Sequence, residues 1–154
     1  MNRAYSLLTV KSVDSEKRVF RGTASTPNPD RMKDIVEPLG ITFANPLPLL
    51  LHHDHRLPVG TVTFGTPTAK GVEFEATIAS IKEPGVLKDR TDEAWHSVSN
   101  GVIRATSIGF QPVEHEPIAG GGIRFKRSSV FEMSLVTVPA NADCTIQLLS
   151  LIHI

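Results

Sequence analysis

The 154 residues predict a mainly β protein of the α+β kind, a curled antiparallel sheet or barrel with one principal helix packed on it. Three observations carry this expectation. Short stretches of alternating apolar and polar residues recur along the chain, separated by turns rich in Gly, Pro, Asn and Asp. One stretch, residues 86–99, has helical spacing with a bounded start and stop. No internal repeat is present, and no apolar run approaches the ~20 residues of a membrane-spanning helix.

Residues 4–13 alternate loosely as a strand, Asp14-Ser15-Glu16-Lys17 is a polar turn, and residues 18–25 return as a second strand. These two are expected to pair as a hairpin. Residues 26–34 form a polar loop broken by Pro27 and Pro29, and residues 35–38 are a short extended piece. A second loop, 42–48, enters the apolar run Leu49-Leu50-Leu51, which delivers His52-His53-Asp54-His55. Residues 58–64 read as a strand, 66–71 as a turn, and 72–81 as a strand with Val72, Phe74, Ala76 and Ile78 on one side. The helix over 86–99 follows Pro84-Gly85 and is expected to bury Leu87, Ala94, Trp95 and Val98. Asn100-Gly101 stops it by supplying the positive φ that a helix C-terminus uses. A strand runs from Val102 to Phe110 and extends outward through 111–116. Gly120-Gly121-Gly122 is a hairpin tip, since no Lys-Ser/Thr follows to make a phosphate loop. Residues 123–126 and 129–138 are the final strands, ended by Pro139-Ala140-Asn141.

Sixteen Lys and Arg balance sixteen Asp and Glu, which argues against strong sequence-blind attraction to nucleic acid or to an anionic membrane. Cys144 is the single cysteine, so neither an internal disulfide nor thiolate-built structural zinc is expected. The start lacks a signal-peptide core, and a soluble, cytoplasmic protein is expected. The length suits one domain, assigned to residues 1–148. Leu149-Ser150-Leu151-Ile152-His153-Ile154 back-translates to a sequence resembling a transposon-end adapter used in DNA library preparation. Residues 149–154 are therefore expected to be a non-native tail, and His153 is given no role.

Chemistry-bearing residues fall in three places. Ser107 alternates onto a face with Ile103, Ala105 and Gly109, so its hydroxyl has little bulk beside it. That suits a nucleophile, or simply a small residue under a neighbouring strand. The cluster His52-His53-Asp54-His55 surfaces at the end of an apolar run, where strand alternation lets at most two histidines share a face. Histidine suits a general base near neutral pH. A solvated cluster is the plain alternative, and a zinc site completed by His96, His115 or Glu116 is another, although the spacing matches no compact zinc motif. Glu132 is expected on one strand face with Val130, Ser134 and Val136, where a carboxylate needs a partner unless the strand is at an edge. Ser134 is the competing nucleophile, with bulkier neighbours and no glycine after it.

Taken in order, several of these stretches resemble one family. They are Gly22-Thr23-Ala24-Ser25-Thr26-Pro27, Asp30-Arg31, Asp34-Ile35-Val36-Glu37-Pro38, Pro48-Leu49-Leu50-Leu51 with His53-Asp54, and Pro58-Val59-Gly60. Ser107-Ile108-Gly109-Phe110 and Glu132-Met133-Ser134-Leu135-Val136 with Pro139-Ala140-Asn141 complete the set. Their order and spacing are similar to the tailed-phage prohead proteases of the HK97 type, over about residues 22–141. The resemblance implies a serine endopeptidase related to the herpesvirus assemblins, with a β-barrel core and surrounding helices. It implies cleavage of scaffold, or of the scaffold-like extension of the major capsid protein, inside the immature shell, followed by self-cleavage. It implies His53 as base, Ser107 as nucleophile and Glu132 as the matching acid. No cofactor and no metal are expected, since the histidine spacing closes no ligand set. In the related assemblins the third position is a histidine, for which His115 is the candidate here. The implied setting is the prohead in the bacterial host cytoplasm, with capsid protein and scaffold as partners and room for a homo-oligomer. Two other classes stay open: a non-catalytic capsid-assembly module, and a metal-dependent hydrolase using the histidine cluster.

Overall fold

The structure is a computed structural model that describes the backbone of residues 2–7 and 13–14, and residues 17–138 with their side chains. Cys144, the 148/149 boundary and the expected tail at 149–154 lie outside the described residues. Ten strands, one α-helix and a single 3-10 turn at Pro38–Gly40 make up the described part: β1 (Asn2–Leu7), β2 (Val13–Asp14), β3 (Val19–Ser25), β4 (Ile35–Val36), β5 (Ile41–Thr42), β6 (Leu47–Leu51), β7 (Asp54–Phe64), β8 (Val72–Ile78), α1 (Val86–Ser99), β9 (Ala105–Pro117) and β10 (Ile123–Val136). A single sheet runs β1-β9-β10-β6-β7-β8-β3-β2, with β4 and β5 added alongside β10. The sheet curls until β1 approaches β3, which makes an open half-barrel. The mainly β, one-helix architecture is the one expected. One departure is that β4, β5 and β6 all run parallel to β10.

The expected first hairpin is divided between two partners. Val13 and Asp14 do pair with Phe20 and Val19 across the polar turn, but β1 pairs antiparallel with β9 instead, from Asn2 opposite Phe110 to Leu7 opposite Ala105. Alternation specifies that a segment is a strand and leaves its partner open; the partner is chosen by the faces available across the whole sheet.

The inner face of the sheet holds the core. Phe20 and Phe74 meet edge to face at 5.8 Å, and Phe110 and Phe125 at 5.2 Å, around the fully buried Leu49, Ile78, Ile108, Met133 and Leu135. Helix α1 lays Thr91, Ala94, Trp95 and Val98 against β7 and β8. Leu87, expected in that stripe, is 45% exposed; Thr91 takes the place, with its hydroxyl donating to the Leu87 carbonyl at 2.9 Å. The helix is pinned from outside by Arg18, which donates to Asp92 at 2.8 Å and to the Ala79 carbonyl at 3.2 Å. It ends as the sequence implies, except that Gly101 alone takes the positive φ of +72° while Asn100 stays at −101°. Among the described residues, no helix is long and apolar enough to cross a membrane.

Candidate active site

The site is built on the pairing of β9 with β10. Thr106, Ile108 and Phe110 lie opposite Leu135, Met133 and Val130, and this face carries the core. Ala105, Ser107 and Gly109 lie opposite Val136, Ser134 and Glu132 on the other face. Strict alternation would put Glu132 on the face of Val130, which is the placement expected from the sequence pattern. The strand has a bulge between Val130 and Glu132, which leaves Phe131 without a partner on β9. The bulge turns Glu132 away from Val130 and onto the face of Ser107. Both faces are covered: Ser107 and Ser134 are fully buried, and Glu132 is 1% exposed.

Gly109 is what allows the carboxylate to stay there. A Cβ on Gly109 would lie 2.2 Å from Glu132 Oε1 and 2.8 Å from its Cδ. The room that the sequence suggests beside Ser107 is therefore filled by the side chain of Glu132.

The histidine cluster occupies a tight turn and not a strand end. Leu51 of β6 pairs with Asp54 of β7, which leaves His52 and His53 as a two-residue hairpin loop. Both have positive φ, 52° and 59°, the signature of a type I′ turn. A non-glycine residue in this region costs about 1–2 kcal/mol, so two in succession must be held by their surroundings. The His52 N–H donates to the Leu135 carbonyl and the His53 N–H to Ser134 Oγ, each at 3.0 Å, both on β10. The turn sends the two side chains apart: His52 is exposed and His53 is buried. Asp54, the first residue after the turn, accepts from the Arg56 backbone N–H at 2.9 Å and from its guanidinium at 3.1 and 2.9 Å. The Arg56 guanidinium holds the Asp54 carboxyl down to about 2.

Buried His53 reaches both other strands of the site. Its Nε2 lies 2.6 Å from Ser107 Oγ, and its Nδ1 makes a short contact with Glu132 Oε1. A carboxylate can only accept, so Nδ1 carries the proton donated to Glu132, and Nε2 is left to accept from the serine hydroxyl. The second carboxylate oxygen, Oε2, accepts from the Ser134 hydroxyl at 2.8 Å. This is an acid, an oriented imidazole and a hydroxyl in one continuous chain, an arrangement able to raise the nucleophilicity of Ser107.

The remaining candidates stay apart from this chain. Ser134 has its hydroxyl engaged with Glu132 and the His53 backbone, at no contact with an imidazole nitrogen. His55 is exposed, with its ring edge-on to Phe131 at 6.2 Å. His115, the candidate for an assemblin-like third member, is eight residues along β9 from Ser107, about 26 Å away at strand rise. It packs beside Phe125, while Glu116 contacts Lys126 at 3.1 Å and His96 is exposed on α1. Among the described residues no three His, Cys, Asp or Glu side chains come together as a metal site. A cavity of about 230 Å³ opens beside Glu132, lined by Pro48, Leu50, His55, Pro58 and Phe131. Sequence reasoning missed the Phe131 bulge, the role of Gly109 as space for the carboxylate, and the bridging hydroxyl of Ser134. The first leaves no sequence signal beyond an extra apolar residue.

Comparison with known proteins points one way. The family model for the caudovirus prohead serine protease matches residues 8–153. A capsid polyprotein of Pseudomonas phage PAJU2 is 53% identical over 146 residues, covering 94% of this chain and 22% of that protein. A prohead protease of Escherichia phage T5 is 32% identical over 151 residues, covering 90% of this chain and 68% of the T5 protein. The chain thus spans about a fifth of the first relative and about two thirds of the second.

Proposed function

The chain belongs to the caudovirus prohead serine proteases, and from that premise we propose that it is a serine endopeptidase that cleaves capsid-assembly proteins through an acyl-enzyme on Ser107. The observation that carries the reading is the buried chain Ser107 Oγ–His53–Glu132. Ser107 Oγ adds to the scissile carbonyl carbon as its proton passes to His53 Nε2. The tetrahedral adduct collapses, the C–N bond breaks, and the imidazolium gives that proton to the departing amine. Water then enters, loses a proton to His53 and adds to the acyl carbon; the bond from that carbon to Ser107 Oγ breaks, His53 returns the proton to Oγ, and the new carboxyl terminus leaves. Glu132 accepts from Nδ1–H throughout, which fixes the tautomer and stabilises the imidazolium. Burial of all three groups strengthens these hydrogen bonds by lowering the local dielectric.

The substrates in this reading are the scaffold or the scaffold-like extension of the major capsid protein, and then the protease itself, inside the prohead. Similarity to a phage capsid polyprotein and to a phage prohead protease supports that assignment. The test is co-expression with the capsid protein of the same phage, with N-terminal sequencing of the fragments. Wild type should process its partner and Ser107→Ala should not, while a fluorophosphonate probe should label the wild type at Ser107. Normal processing by folded Ser107→Ala would overturn the proposal.

A further inference from the structure

Ser134 lies outside the three-residue chain, yet it touches two of its members by different routes. Its Oγ accepts from the backbone N–H of His53 at 3.0 Å and donates its own proton to Glu132 Oε2 at 2.8 Å. Glu132 holds the His53 ring through Oε1. The result is a closed ring: imidazole, carboxylate, Ser134 hydroxyl, His53 backbone and back to the imidazole. A hydroxyl has one proton, and Glu132 can only accept, so the direction of every bond in this ring is fixed. The ring constrains what the triad alone leaves free. One bond fixes rotation of the carboxylate about its Cγ–Cδ bond, and the other fixes the position of a histidine whose φ of +59° is held by its surroundings. On β6 Ser134 lies beside Leu50, with Val136 two residues along its own strand, while the hydroxyl across from it on β9, that of Ser107, is engaged with His53 Nε2.

Resting on the reading of Ser107 as nucleophile, we infer that Ser134 is a positioning residue for this reaction. Its hydroxyl locks the carboxylate and the histidine backbone to one another, so that His53 Nε2 is presented to Ser107 in a single orientation. It acts through Glu132 and His53 and does not touch the reacting atoms.

The test uses the full chain and compares Ser134→Ala and Ser134→Cys with wild type by two measurements. The first is the rate of fluorophosphonate labelling at Ser107, with kcat and KM on a cleaved capsid peptide. The second is the downfield proton resonance of His53 Nδ1–H, assigned by its absence from Glu132→Gln. Ser134→Ala should lower kcat and the labelling rate about 10- to 100-fold, the range for losing one hydrogen bond to a charged group, with KM little changed. The resonance should shift or broaden. Ser134→Cys, a weaker donor of similar size, should fall between the two, an order that simple filling of space would not produce. It also replaces Ser134→Ala should the latter not fold. Labelling at the wild-type rate with an unmoved resonance in the folded variants would overturn the inference, as would a label found on Ser134 itself. If wild type is not labelled at Ser107, the proposed function fails, while the resonance still decides the role of this hydroxyl in holding the histidine.

Discussion

At Gly109 a single methyl group separates a formed site from a broken one. A Cβ at this position would approach Glu132 Oε1 to 2.2 Å, so Gly109→Ala must displace the carboxylate. We expect a destabilisation of about 1–3 kcal/mol from overpacking. Turnover should fall toward the level of a variant with no acid at all, which in other triads is a loss of about 10⁴-fold. The shorter acid in Gly109→Ala/Glu132→Asp should recover part of the stability, seen in urea denaturation as a non-additive pair. Additive losses would mean that the two residues do not compete for the same space. Glu132→Gln keeps the volume but exchanges one of two acceptor oxygens for an NH2 donor, which can favour the wrong His53 tautomer. It should fold, lose most but not all activity, and gain little at high pH; activity near wild type would remove Glu132 from the mechanism.

Among the elements, the β6–β7 turn and the bulge in β10 do most to aim side chains. The turn holds two histidines in left-handed conformation, but only His53 uses its side chain in the site. His52 is exposed, and its side chain makes the turn harder to form. His52→Gly should therefore stabilise the protein by about 1 kcal/mol, read as a rise in Tm of about 2–4 °C for a chain of this size. Turnover should be unchanged. A lower Tm would show that the His52 side chain supports the turn in some other way. Just after the turn, Asp54 holds Arg56 on the same strand, and the pH dependence of this pair follows from the depressed Asp54 pKa of about 2. The folded-state value lies below the unfolded value of about 3.9, so the pair contributes fully above that and its contribution is lost as pH falls toward 2. The stability difference between wild type and Asp54→Asn should accordingly be constant from pH 7 down to about 4 and shrink below it. A difference that persists undiminished at pH 2 would refute this account.

At the scale of the molecule, the curl of one sheet brings three distant segments together: the turn after β6, the middle of β9 and the bulged stretch of β10. In the proposed reaction the protons are moved by side chains of these three segments. His52, His53 and His55 are separated by the turn, and His96 and His115 lie on other elements. Treatment of the purified protein with a strong chelator should therefore leave both activity and Tm unchanged. Loss of activity on chelation, restored by stoichiometric zinc, would favour a metal-dependent hydrolase instead.

Much of the local structure was legible in the residues alone. The helix with its Gly101 stop, the glycine tip at 120–122, and the alternation of β8 follow from short-range rules of conformation and burial, which act within a few residues. The motif residues also pointed to His53, Ser107 and Glu132 before any of them had a position in space. What tertiary structure alone decided was which face and which partner each segment took. The first strand joined β9, Thr91 replaced Leu87 beneath the helix, and a bulge at Phe131 moved Glu132 to the serine's side. Strand patterns repeat every two residues, so one extra residue reverses every later side chain, and nothing local marks where that residue sits. Two left-handed histidines and a carboxylate in the space of Gly109 are likewise arrangements that cost energy locally. They persist because β10 supplies hydrogen-bond partners from more than seventy residues away in sequence.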